Sequence, residues 1–187
     1  MKSNPKREIV QEIDDGIIFL RKVAKKDADF LYNSLKNKQL TKYMVLKPLN
    51  SLEDGKTLLK KHLEYWNKHL QFNYIIERKK KHIKEPIGLI NLWNINWTHS
   101  RAEVGIWIIP SYWKKGYGKK AIDLIKIIAY HHLKLNRLEA HVITKNERSI
   151  NLFLTCGFKK ECRLEKYLNI RGKFYDAILL AFLNSEL

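Results

Sequence analysis

Gly116 and Gly118 carry the first chemical signal in this chain. They stand in the loop Pro110-Ser-Tyr-Trp-Lys-Lys-Gly-Tyr-Gly-Lys-Lys-Ala121, between an apolar strand pattern (102–109) and a helical pattern running from about Tyr117 to Leu133. Two residues without Cβ let the backbone turn and approach a bound group closely. The amides from Lys115 to Lys119, Tyr117 among them, can then point at one anion, at the positive end of the helix dipole. A pyrophosphate suits such a cradle, and Lys114, Lys115, Lys119 and Lys120 add cations around it. An ordinary strand-to-helix turn uses the same residues, so the loop alone leaves both readings open.

Two other nucleotide-binding patterns fit poorly. Walker A requires G-x-x-x-x-G-K-[ST], which Gly116-Tyr-Gly-Lys-Lys-Ala121 does not supply. The dinucleotide pattern G-x-G-x-x-A matches formally, but Pro110-Ser-Tyr-Trp-Lys-Lys115 separates the strand from the first glycine. Glu139, at a suitable distance for a ribose-binding acid, falls inside a strand pattern and not at its end.

Four linked motifs, Trp113-Lys-Lys-Gly116-Tyr-Gly118, Leu135-Asn-Arg-Leu-Glu-Ala, Asn146-x-x-Ser149 and Gly157-Phe158, resemble the acetyl-CoA-binding core of the GNAT superfamily of N-acetyltransferases. They are most similar to the branch containing the ribosomal-protein-serine and ribosomal-protein-alanine enzymes, whose loop also begins with Trp. The resemblance extends loosely to Ile17–Lys22 with Lys26-Asp27-Ala28, and to Pro86–Ile90. It implies one N-acetyltransferase domain over residues 1–187 with its cofactor core at about 101–158, acetyl-CoA as co-substrate, and direct transfer to a primary amine.

The resemblance also assigns roles. Ile106, Trp107 and Ile108 would hold the pantetheine arm through their main chain, on a strand splayed from its neighbour. Gly116, Tyr117, Gly118, Lys114, Lys115 and Lys119 would bind phosphate, with Asn146 and Ser149 completing the cofactor site. Glu103 is the first candidate base, its alternative being a strand-edge carboxylate paired with Arg101 or a lysine. Glu165 is the second, with Glu161 nearby. Many superfamily members place a tyrosine acid where this chain has Phe153. In the ribosomal-serine branch that role goes to the motif serine, here Ser149, although Asn146 can simply cap its helix while Ser149 binds cofactor.

The elements that must position these residues follow from periodicity. A strand at Ile17–Val23 precedes a helix from about Asp27 to Lys36, and Ser51-Leu-Glu-Asp54 opens a helix to about His69 with a capping box. The stretches 72–78 and 86–95 read as a hairpin across a basic turn that includes Lys79-Lys-Lys81. Strand patterns at 102–109, 137–144, 157–164 and 174–183 complete an α/β (α+β) fold: a largely antiparallel mixed sheet of about six to seven strands flanked by about four helices.

Composition bounds the rest. With 187 residues, 45% hydrophobic and 29% charged, the chain can bury a core as one domain. No apolar run approaches the roughly 20 residues of a membrane span, and the first residues lack the apolar core of a signal peptide, so a cytoplasmic protein is expected. Cys156 and Cys162 match no zinc or redox spacing, and the adjacent His131-His132 cannot converge on one ion, so no metal is expected. Trp93 and Trp97 are candidate walls of an acceptor cleft.

The net charge of +17 is compatible with plain solvation. Read functionally, it favours an acidic protein partner or ribosomal RNA, and it steers polyamines away. The acceptor expected is therefore the N-terminal α-amine of a protein, an acidic ribosomal protein being one case, with association to the ribosome and no membrane partner. A polyamine or antibiotic acetyltransferase and a non-catalytic acyl-CoA- or RNA-binding module are the alternatives. Monomer and homodimer both remain open.

Overall fold

In the computed structural model, residues 7–80 and 83–184 are described. Lys81, within the basic turn, and the first six residues lie outside them. The strands are β1 (Glu12–Asp14), β2 (Ile18–Lys22), β3 (Phe72–Lys80), β4 (Ile83–Asn96), β5 (Arg101–Ile108), β6 (Arg137–Ile143), β7 (Lys159–Ile170) and β8 (Lys173–Leu183). The helices are α1 (Ala28–Leu35), α2 (Lys38–Thr41), α3 (Leu52–Asn67), α4 (Tyr117–Ile127) and α5 (Glu147–Thr155). The fold is thus the expected mixed one, with short β1 and α2 added. Neither is long enough to show a period.

The strands form one sheet in the order β1-β2-β3-β4-β5-β6-β8-β7. Each neighbouring pair is antiparallel except β5 and β6. That pair is parallel and stays in register only at Arg101↔Arg137, Ala102↔Leu138 and Glu103↔Glu139. Beyond Glu103 the two strands separate while each keeps its other partner, β4 or β8. A gap therefore opens in mid-sheet.

Alternation along the strands divides the core into two faces. Phe72, Tyr74, Ile90, Leu92, Val104 and Ile108 pack with Ile122 and Ile125 of α4 and with Ile150 and Phe153 of α5. Ile75 and Leu89 face the other way, onto Leu31 and Leu35 of α1 and Leu59 of α3, with Trp107 against them. The mid-sheet gap has α4 and α5 on one side and α1 to α3 on the other.

Local chemistry sets the helix starts. Ser51 Oγ accepts from the Asp54 amide at 3.1 Å while Asp54 Oδ2 accepts from the Ser51 amide at 3.0 Å, which is the expected capping box. The helix expected to reach Leu133 is α-helical only to Ile127 and finishes as a π-helical turn, Ile128–His132. There His132 Nδ1 lies 3.0 Å from Glu8 Oε2. Cys156 is buried at the end of α5, where burial raises its thiol pKa, and Cys162 is exposed.

Candidate active site

The gap opens into a cavity of about 1050 Å³. One part is lined by Ile106, Trp107 and Ile108 of β5, by the loop from Trp113 to Lys119, and by Asn146 and Ser149 at the start of α5. The structure thus brings the residues expected around a cofactor into one lining, Lys120 excepted.

The two glycines of the loop serve different needs. Gly116 is the residue before α4 and has φ +82, a left-handed conformation that is strained for residues with a Cβ. A Cβ at Gly118 would lie 3.0 Å from Leu152 Cδ2, so this glycine lets α4 and α5 approach each other. Among the described residues no side chain caps α4, and no acidic residue occupies its first turn. Its N-terminal amides and dipole are therefore available to an anion.

The loop is fastened on both sides. Trp113 Nε1 donates to the Ile108 carbonyl at 2.5 Å, and the Arg148 guanidinium stacks 3.3 Å from the Trp113 ring centroid. Tyr112 donates to Glu85, which also pairs with Arg78. Among the lysines, Lys114, Lys115 and Lys119 line the cavity, Lys119 with an Asp123 contact of 2.8 Å. Lys120 instead pairs with Asp15 at 2.9 Å, outside the lining.

Asn146 Oδ1 accepts from the Ser149 amide at 3.3 Å, capping α5, while Ser149 itself lines the cavity. Phe153, which also lines it, meets Phe158 edge-on at 5.0 Å.

The carboxylates are arranged less simply. Glu103 is 6% exposed and does not line the cavity. Its Oε1 accepts from Asn94 Nδ2 at 2.7 Å, and its Oε2 lies 2.8 Å from Nδ1 of His141, which does line the cavity. The alternative pairing with Arg101 is not the one formed, since Arg101 reaches Glu139. Glu161 is bound by Arg137. Glu165 is exposed on β7, in the irregular stretch between Leu164 and Leu168, and is not in the lining.

His141 is the residue that sequence reasoning missed. A lone histidine within a strand pattern carries no periodic signal, and its partner Glu103 is 38 positions away. Two irregularities build its surroundings. A register shift between Trp93 and Asn96, with Asn94 at φ +48, aims the Asn94 amide at Glu103. The irregular stretch of β7 brings Tyr167 to stack on the imidazole, ring centroids 4.9 Å apart. In the tautomer that donates from Nδ1 to Glu103, Nε2 carries the free lone pair.

Away from the cofactor loop, the cavity runs between the sheet and α1 to α3. Leu31, Leu35, Leu40, Met44, Leu46 and Leu58 line it, and Trp93, 43% exposed, belongs to the same lining. Trp97 is not in this lining and packs instead against Phe72 at 6.4 Å. Gln71, Asn91 and His62 add neutral polar atoms, and among the described residues no aspartate or glutamate lines the cavity.

Burial, with a smaller contribution from Lys61, pushes the His62 imidazole from 6.5 down to about 4. Between those values the unfolded chain binds a proton that the folded one does not. The stabilisation is therefore present above pH 6.5 and lost as pH falls towards about 4. Unfolding curves across this range are expected to show a slope of about one proton that His62→Gln removes. Parallel curves for the two proteins would place the ring in solvent.

Residues 18–159 match the family model for the acetyltransferase (GNAT) domain. The chain is 31% identical over 159 residues to the uncharacterized N-acetyltransferase YoaA of Bacillus subtilis, covering 85% of this chain and 89% of that protein. It superposes with a TM-score of 0.80 and 25% identity on the spermidine N-acetyltransferase of Vibrio cholerae solved with CoA and spermine, covering 91% and 98% of the two chains. The ribosomal-protein-S5-alanine acetyltransferase of Vibrio fischeri shares the fold, with a TM-score of 0.79, 24% identity, and coverage of 94% and 97%.

Proposed function

The chain belongs to the acetyltransferase (GNAT) domain family, and on that premise we propose that it transfers acetyl from acetyl-CoA directly to the α-amine of a protein N-terminus. The N-acetyltransferase class follows from the family. The acceptor and the residue roles are the proposal.

The residues present fit the co-substrate. The uncapped start of α4 and the amides of Tyr117, Gly118 and Lys119, with Lys114 and Lys115, suit a pyrophosphate. The main chain of Ile106 to Ile108 borders the gap where β6 has moved away, and suits an extended pantetheine arm. Acetyl-CoA supplies an acetyl group activated as a thioester. Holding it and the amine in one orientation supplies several kcal/mol of the barrier, on the order of what effective molarities give.

The amine reaches the site protonated and must lose that proton. His141 Nε2 is assigned as the base, with Glu103 positioning the ring through Nδ1 and stabilising the imidazolium that forms. The base role expected of Glu103 is thereby exercised through His141. Glu165, exposed and outside the cavity, receives no role. The Ser149 hydroxyl is suited to hydrogen-bond the departing sulfur.

One observation carries the choice of acceptor: the cavity lining contains no carboxylate among the described residues. A polyamine keeps at least one ammonium after its reacting nitrogen is neutral, and burying that charge without a partner is costly. A peptide N-terminus has a single ammonium and becomes neutral when it gives up its proton. The similarity to spermidine acetyltransferases favours the second reading, a polyamine acceptor.

Calorimetry with acetyl-CoA, followed by thiol release in the presence of acidic N-terminal peptides, acidic ribosomal proteins, spermidine and spermine, separates these readings. Binding and release with peptides is the expected result. Release with polyamines alone would establish the second reading, and binding without release on any amine would indicate a non-catalytic module.

A further inference from the structure

We propose that the acceptor half of the cavity is a two-part recognition site for an N-terminus whose first residue is aliphatic or aromatic and whose next residues are acidic. This rests on the protein N-terminus reading above and narrows it.

The first part is the apolar wall. Leu31 and Leu35 of α1 and Leu58 of α3 form its back. At its mouth the chain between α2 and α3 presents four successive non-polar or aromatic residues, Tyr43, Met44, Val45 and Leu46, all lining the cavity. Val45 remains 64% exposed. The segment is tied at both sides, by the Met44 amide donating to the Thr41 carbonyl at 3.1 Å and the Leu49 amide donating to the Leu35 carbonyl at 3.2 Å. His62, uncharged at neutral pH, is the titratable group on the α3 side of this wall. A side chain of matching polarity gains by leaving water here, whereas a second ammonium finds no anion.

The second part lies beside the mouth. Lys38, Lys47 and Arg171 line a separate shallow cleft of about 380 Å³ together with Pro48 and Asn50. Lys47 directly follows the cavity residue Leu46, and Arg171 lies three positions beyond the cavity residue Leu168. Arg171 donates to the Thr41 carbonyl at 3.0 Å, joining the β7–β8 turn to α2. No carboxylate lines this cleft among the described residues. A chain entering amine-first through the mouth trails its following residues past these cations. Acidic side chains there complement them, and basic ones are repelled.

The order of the two parts specifies the sequence recognised. Apolar area at the reacting end discriminates by size, at about 10 to 200-fold for small differences in apolar bulk. The outer cations, being exposed, contribute mainly to association and weaken with salt.

The test is kcat/KM for short synthetic peptides on one body, Xaa-Asp-Glu-Ala, with Met, Leu, Phe, Ala, Ser or Gly leading, beside a second series in which Lys-Lys replaces Asp-Glu, and spermidine. Apolar leads are expected to exceed Gly and Ser by about 10-fold or more. The acidic body is expected to exceed the basic one at low salt, with the difference shrinking as salt rises. Lys47→Glu is expected to reduce the acidic preference without moving the first-residue ranking. Leu46→Asp is expected to flatten that ranking while leaving acetyl-CoA affinity unchanged.

Equal rates for all leading residues would overturn this inference while the N-terminal reading stands. Turnover of spermidine with no peptide would overturn that reading too. Acetyl-CoA binding with no amine in the panel turned over would likewise count against both.

Discussion

Replacing His141 by alanine is expected to lower kcat by about 10²–10⁴-fold with acetyl-CoA affinity unchanged, and added imidazole is expected to restore part of the rate. The size follows from what the ring does. Without a group to take the proton, the amine must reach the thioester through its small unprotonated fraction. The imidazole is held by Glu103 at 2.8 Å and by the Tyr167 ring at 4.9 Å, and among the described residues no carboxylate lines the cavity to take its place. Rescue by imidazole separates proton transfer from mere packing, because a structural loss is not repaired by a free base. Glu103→Gln is expected to cost less. It keeps a hydrogen bond but lets the ring take either tautomer and no longer offsets the imidazolium charge. A His141→Ala enzyme with full turnover, or one that lost acetyl-CoA binding to the same extent as kcat, would remove His141 from the mechanism.

The part of the cavity proposed to hold the cofactor was legible in the sequence as one cluster because it is local. Lys115 to Lys119 present consecutive backbone amides, and Asn146 and Ser149 share one helix start, so the proposed chemistry is written in adjacent letters. Even there, spacing did not reveal that Gly118 makes room for Leu152, or that Lys120 is taken by Asp15. The half proposed for the acceptor is assembled from distant parts. Glu103, Asn94, His141 and Tyr167 come from β5, β4, β6 and β7, and two of them are delivered by register irregularities that no period predicts. Residues 43–46 lie in no regular element, so their apolar character had no face to be assigned to. Sequence logic recovers what is periodic or contiguous. The separation of β5 from β6 after three residue pairs has no periodic signal and was expected from the family resemblance alone.

Arg21→Met is expected to cost about 3–5 kcal/mol of stability, measured by urea unfolding. Arg21, on β2, donates from Nε to Glu77 of β3 at 2.8 Å and from its two terminal nitrogens to Asp27 at 2.6 and 2.8 Å. Its side chain is 14% exposed, and those of Asp27 and Glu77 are 4% and 7% exposed. Burial works against the guanidinium charge, but the bonds to Asp27 and then Glu77 outweigh it and raise the Arg21 pKa above its ordinary value. Methionine fills similar space and leaves two carboxylates buried together, each without its cation. The triple replacement Arg21→Met, Asp27→Asn, Glu77→Gln is therefore expected to recover most of the loss. An ion triad of this kind can be exchanged for neutral groups more cheaply than it can be broken. The site should register the change selectively. Asp27 also accepts from the Ala24 amide at 2.7 Å, immediately before α1, so the triad sets where α1 begins on the sheet. Leu31 and Leu35, one and two turns on, belong to the proposed acceptor wall, whereas α4 packs on the opposite face of the sheet. KM for the amine is accordingly expected to rise several-fold in Arg21→Met while the acetyl-CoA dissociation constant holds. Equal weakening of both ligands would mean that the triad supports the whole fold and does not position the acceptor wall.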